Sequence, residues 1–147
     1  MMNNLLTTMR VDLLTQYSLL ITMVSLFEEA VYTLCNVYYE FNKLHTKVYD
    51  IKGQGLSRAK KYLKEQVGIV GFTSNKYWEY VDTICEARHM IVHNGGRIIN
   101  DTKKFDKFNI GYREEDHQIY IEYDNIIKMY NGILDFIEIA YKTEPKE

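Results

Sequence analysis

Proline is almost missing from this chain: one residue, Pro145, in 147. Glycine is sparse too, with eight residues. So few breakers over such a length exclude a turn-rich β architecture and favour long helices. Cysteine is scarce. Cys35 and Cys85 stand alone within apolar helical patterns, which reads as small core residues in a reducing compartment, not a disulfide or a zinc site. Excess charge is missing as well: the formal net charge is −2, so no global basic field advertises nucleic acid. Met1 to Arg10 lacks the basic-then-apolar layout of a signal peptide. The longest apolar-rich run, Tyr17 to Phe27, is interrupted by Thr and Ser and stops at Glu28-Glu29, short of the roughly 20 residues of a spanning helix. These absences predict a cytoplasmic protein with no membrane partner. Its 147 residues, 46% of them hydrophobic, suit a single domain over 1–147.

What is present is helical periodicity. Leu13, Tyr17, Leu20, Val24, Phe27, Val31, Leu34, Tyr38 and Phe41 alternate spacings of four and three, predicting a first helix from Met9 to Asn42 with that seam inward. The opposite stripe, Thr22, Ser25, Glu29, Thr33, Asn36 and Glu40, is polar. Glu28 breaks the pattern by standing in an otherwise apolar row. It is either an edge residue reaching solvent or the partner of a buried cation, with Arg88 the obvious candidate. Lys43 to Gly55 reads as a loop, and Ser57 as the cap of a short helix from Arg58 to Gln66. Gly68 to Phe72 reads as a second loop, and Ser74 or Asn75 as the start of a helix with Trp78 on its apolar side. After it, Arg97 to Asn109 looks irregular. Ile110 to Arg113 and Gln118 to Glu122 alternate with period two around Glu114-Glu115-Asp116-His117, predicting a small β-hairpin. Asp124 is expected to cap a last helix to Lys142, with Ile127, Tyr130, Ile133 or Leu134, Ile137 and Tyr141 inward. The tail, Thr143 to Glu147, is expected to fray.

The densest chemistry lies in Glu86-Ala87-Arg88-His89-Met90-Ile91-Val92-His93-Asn94-Gly95-Gly96. Paired glycines end a helix because glycine adopts the left-handed conformation freely. His89 and His93, at i, i+4, share a polar face with Asp82 and Glu86. Arg88 lies instead on the stripe Tyr77, Val81, Ile84, Arg88, Ile91, where an unpaired charge is costly. Arg88 and His93 are about 140° apart around the axis and ~7.5 Å apart along it. They do not touch, but together they could hold a phosphate-sized group. The plain alternatives are an Arg in a buried ion pair and a His favouring the helix dipole.

Arg88-His89-Met90-Ile91-Val92-His93 resembles the R-[polar]-x3-H motif of HEPN (higher eukaryotes and prokaryotes nucleotide-binding) domains. The order of a long first helix with an embedded Glu, a short middle helix, a motif helix and a final helix resembles theirs too. The resemblance implies an all-α fold, a small up-and-down helical bundle, here with a short β-hairpin before the last helix that looks like an insertion. It implies a homodimer acting as a metal-independent endoribonuclease of toxin or antiphage-defence type, with no cofactor. RNA would be the substrate and an antitoxin such as a nucleotidyltransferase a partner. Arg88 then matches the family arginine, His89 the polar position and His93 the catalytic histidine, with Asn94 and Glu28 in support. Arg58, Lys60, Lys61 and Lys64, with Lys103 and Lys104, become candidate RNA contacts.

The chemistry is self-consistent. Cleavage by the RNA's own 2′-OH needs a base, an acid and charge stabilisation at phosphorus. A histidine supplies proton transfer near neutrality, and an arginine presents a fork of donors to phosphoryl oxygens. A dimer would bring a second histidine. Two rival readings stand beside it. One is a zinc site on His89 and His93 with Glu86 or Asp82. The other is a non-catalytic dimerisation, interaction or nucleotide-binding module with Arg88 structural.

Overall fold

A computed structural model describes residues 2–69, 76–99, 103–113 and 117–142. The fold class is all-α, as expected, with a short antiparallel ladder ahead of the last helix. The helices are α1 (Met2–Phe41), α2 (Gly55–Tyr62), α3 (Lys76–Asn94), α4 (Lys103–Lys107) and α5 (Tyr123–Lys142). A 3-10 turn covers Val48–Asp50, and α2 runs on into a π turn, Leu63–Val67. The strands are β1 (Gly111–Tyr112) and β2 (Ile119–Tyr120), paired antiparallel with Gly111 opposite Tyr120. The expected cap at Ser74 or Asn75, most of the loop to Phe72, the turn Glu114 to Asp116 and the tail from Thr143 lie outside the described residues.

The chain forms two compact units. The first comprises Met1–Val24 and Tyr80–Asn131, the second Ser25–Glu79 and Gly132–Glu147. Helices α1, α3 and α5 contribute to both. On α1, Leu20, Val24, Phe27, Val31 and Leu34 of the expected seam are buried, and the polar stripe from Thr22 to Glu40 is exposed. Phe41, expected inward, is exposed instead. It is the last helical residue, just before Lys43 turns left-handed (φ +50°) and the Leu44 N–H closes on the Tyr39 carbonyl at 3.1 Å. Helix α1 is long and apolar enough by length and composition to cross a membrane, though 44% of its most apolar window is buried within the protein. The helix outruns the broken apolar run seen in the sequence.

In the second unit an aromatic chain holds the core. Trp78 packs edge-on to Phe136 at 5.1 Å between centroids, and Phe136 to Phe27 at 5.4 Å. Such pairs add about 0.5–1.5 kcal/mol beyond area burial. The Tyr62 hydroxyl donates to the Thr46 carbonyl at 2.8 Å and the Tyr32 hydroxyl to Gly55 at 3.0 Å. Cys35 is fully buried, and burial pushes its thiol up to about 12, so it serves packing, as expected. Ser57 does not cap α2. Helix α2 begins earlier, after Gln54, and the Ser57 hydroxyl donates back to the Gln54 carbonyl at 2.7 Å. A serine one turn into a helix finds a carbonyl at i−3 as readily as a cap finds an N–H.

In the first unit, Phe105 of α4 is completely buried with Ile110, Ile119 and Ile121. Buried Gln16 is satisfied by accepting the Ile121 N–H at 3.2 Å. The expected inward face of α5 is wrong by one residue. Ile126, Met129, Ile133, Phe136 and Ala140 are buried, whereas Ile127, Tyr130, Leu134 and Tyr141 are exposed. Both sets carry the same 3/4 spacing, offset by one residue or about 100°, so periodicity could not choose between them.

Candidate functional site

The last turns of α3 are built by a stop and a clamp. Asn94 is the final helical residue, and Gly95 (φ +61°) and Gly96 (φ +82°) turn the chain through the left-handed region. The Gly96 N–H reaches back to the Met90 carbonyl at 3.0 Å, tying the turn to the last turn of the helix. Gly96 also accepts the Ile119 N–H at 2.8 Å, while Ile119 accepts the Tyr17 hydroxyl at 2.9 Å. The Tyr17 ring lies directly over Gly96. A Cβ there would fall 2.0 Å from the Tyr17 hydroxyl oxygen, whereas a Cβ on Gly95 would meet nothing within 4 Å. Gly96 therefore answers two demands, the sign of φ and the space for an aromatic ring; Gly95 answers only the first.

A second brace runs beside it. Arg113 Nη2 donates to Gln118 Oε1 at 2.7 Å, and Gln118 Nε2 donates to the Gly95 carbonyl at 3.2 Å. Arg97 and Gln118 form an antiparallel bridge that extends the ladder. The hairpin thus fixes the exit of the motif helix. Tyr17 and Gln118 were not legible as site residues. The Gly pair signalled a close approach of something, but nothing in the sequence named the ring that makes it.

On the helix, Arg88 is half-buried between the buried Ile84 and Ile91 of the same stripe. Its Nε is enclosed and has no hydrogen-bond partner among the described residues. Leaving a buried donor unmatched costs about 1–3 kcal/mol, more on a charged group. His89 and His93 are exposed, and their rings lie 4.4 Å apart at 44°. Glu86, on the same face, makes an ion pair with Lys104. Asn94 is half-buried. The structure therefore brings His89 and His93 into contact and sets Arg88 on a neighbouring face, as the spacing required. Among the described residues, no group of three or more His, Cys, Asp or Glu side chains is placed to hold a metal ion.

The other expected residues are spread. Glu28 belongs to the second unit, where it is half-buried and a Cβ on Gly55 would lie 3.5 Å from its Oε1. Arg58 is engaged locally: its Nε donates to the Gly53 carbonyl at 2.7 Å and its guanidinium sits over the Tyr49 ring. Lys60 lies 4.9 Å over the Trp78 ring. Lys61 is 4.0 Å from Glu65, and Lys64 is exposed. These four belong to the second unit and Lys103 and Lys104 to the first. Compared with protein-family models, curated proteins and solved structures, the chain matches none.

Proposed function

We propose that the chain is a metal-independent endoribonuclease of the HEPN type, acting in the cytoplasm as a homodimer in which two motif helices together complete the site. The observation that carries this reading is Arg88. A guanidinium set in an apolar stripe, with its inner Nε enclosed and unmatched, is an expensive arrangement for a residue that only packs. It is an economical one for a residue whose outer nitrogens meet a phosphoryl group, because the fork is then oriented before the substrate arrives.

In this mechanism Arg88 holds the scissile phosphate. His93, on the exposed last turn, takes the proton from the 2′-OH as that oxygen attacks phosphorus. The bond to the 5′-oxygen breaks, and the departing oxygen receives a proton from the second copy's histidine. His89, in ring contact with His93, orients it. The products are a 2′,3′-cyclic phosphate and a free 5′-hydroxyl. The test is cleavage of a short single-stranded RNA by the purified full chain with EDTA present. Cyclic-phosphate ends formed without metal support the reading. Activity that requires added zinc or manganese, or fragments with 3′-hydroxyl ends, contradicts it.

The exposed apolar face of α5 favours a second reading, an interaction module without catalysis. It predicts no RNA cleavage under any of these conditions.

A further inference from the structure

Strand pairing in the first unit extends beyond β1 and β2. Gly111 lies opposite Tyr120 and Tyr112 opposite Ile119, the Arg113 N–H donates to the Gln118 carbonyl at 2.9 Å, and Arg97 bridges Gln118 from the other side. The chain leaving α3 therefore lies alongside β2 as a third edge, and Arg97, Gln118 and Arg113 stand abreast. Side chains alternate between the two faces of a ladder. Ile119 and Ile121 are buried, so Gln118, Tyr120 and Glu122 take the outer face, with the two arginines flanking Gln118. The Tyr120 ring is 39% exposed, and Gly111 opposite it has no side chain to cover it. An aromatic ring beside arginines on an open strand face is the arrangement that stacks a base and holds its phosphate.

Beside the ring opens a cleft of about 350 Å³ whose lining includes Tyr120, Gly111, Asp106, Asn109, Glu122 and Asn125. Asn125 Nδ2 donates to the Asn109 carbonyl at 3.3 Å, tying its two rims. Its two carboxylates accept hydrogen bonds and cannot donate them. Among the four RNA bases only guanine offers two adjacent donors, N1–H and the N2 amino group, which one carboxylate accepts as a pair. Adenine, cytosine and uracil each set a donor beside an acceptor, which a carboxylate repels. We propose that this face is a guanine-nucleotide subsite for the RNA substrate. The base stacks on Tyr120 with its edge toward Asp106 or Glu122, and its phosphate meets Arg97 and Arg113. Gln118 and Tyr120 are two residues apart, about 7 Å along the strand, a spacing that one nucleotide spans. Gln118 also holds the Gly95 carbonyl, two residues beyond His93, so the subsite adjoins the end of the motif helix. Its place in an RNA substrate rests on the ribonuclease reading; the preference for guanine does not.

The test is calorimetric titration of the full chain with the 5′-monophosphates of guanosine, adenosine, cytidine and uridine, and with guanosine itself. The guanine nucleotide should bind about tenfold or more tighter than the other three. Asp106→Asn combined with Glu122→Gln should bring it level with the adenine nucleotide. Arg97→Ala should weaken all four monophosphates alike and leave guanosine unchanged. Tyr120→Leu should weaken every nucleotide several-fold, whereas Tyr120→Phe, which keeps a ring to stack on, should not. Each variant's circular dichroism should match the parent's, since these side chains lie on the surface. No binding at millimolar nucleotide, equal binding of all four, or a guanine preference that survives the double carboxamide variant would overturn the proposal. A guanine preference in a chain that never cleaves RNA leaves the subsite standing and removes the ribonuclease. Cleavage by a chain with no guanine preference does the reverse.

Discussion

Gly95→Ala and Gly96→Ala make the same chemical change one residue apart and should differ about twofold in cost. Both place a Cβ at positive φ, +61° and +82°, which costs about 1–2 kcal/mol for an L-residue. For Gly95 that is the whole effect, since the new methyl meets nothing within 4 Å. For Gly96 the methyl would lie 2.0 Å from the Tyr17 hydroxyl oxygen and 2.5 Å from Cζ, so the ring must leave. The Tyr17–Ile119 hydrogen bond at 2.9 Å is then lost, about 1 kcal/mol, together with packing of the ring. The sum is about 3–4 kcal/mol, a fall of roughly 10 °C in melting temperature for a domain of this size, against about 4 °C for Gly95→Ala. Thermal unfolding of both variants followed by circular dichroism gives the comparison. Repeating Gly96→Ala in a Tyr17→Ala background isolates the clash, and there its added cost should drop to that of Gly95→Ala. Equal losses for the two glycines in the parent background would refute the clamp.

Phe105→Ala should cost about 3–5 kcal/mol, measured by urea denaturation, although α4 has only five residues; a loss under 1 kcal/mol would remove Phe105 from the first unit's core. Burial raises Cys35 from 9.0 and Tyr80 from 10.0, each to about 12. The folded state therefore favours their neutral forms. Their contribution is complete below pH 9 and is lost as pH rises toward 12, so the urea midpoint should fall across that range. A flat profile between pH 8 and pH 11 would contradict it. In the native protein at pH 8, the less buried Cys85 should react with iodoacetamide well before Cys35, read by peptide mass.

Much of this architecture was legible because long helices repeat their signal. Nine seam positions on α1 leave little room for error, and Gly95-Gly96 marks the end of α3 unmistakably. What escaped was whatever depended on distant partners. Helix α4 has five residues, too few for a period to show, and its anchor Phe105 lies in the stretch from Arg97 to Asn109 that looks irregular in sequence. The face of α5 was misread because two equally regular seams lie one residue apart, and only the tertiary environment decides which is buried. Tyr17 was placed correctly on the inward side of α1, yet its contact with Gly96 spans most of the chain and has no local signature. Arg88 was recognisable as a charge in an apolar stripe. That its Nε stays unmatched among the described residues could be known only from the structure.

The phosphoryl-transfer role proposed for Arg88 and His93 is tested most directly by setting activity against stability for Arg88→Ala and His93→Ala. Arg88 Nε has no hydrogen-bond partner among the described residues, and His93 is exposed. Both variants should therefore melt within a few degrees of the parent. Each should nearly abolish RNA cleavage, and the double variant should be scarcely worse than either single one, since residues acting as a unit fail together. His89→Ala should be milder. An Arg88→Ala protein whose activity falls only in step with its melting temperature would make the arginine structural, and a His93→Ala protein that cleaves RNA like the parent would end the mechanism.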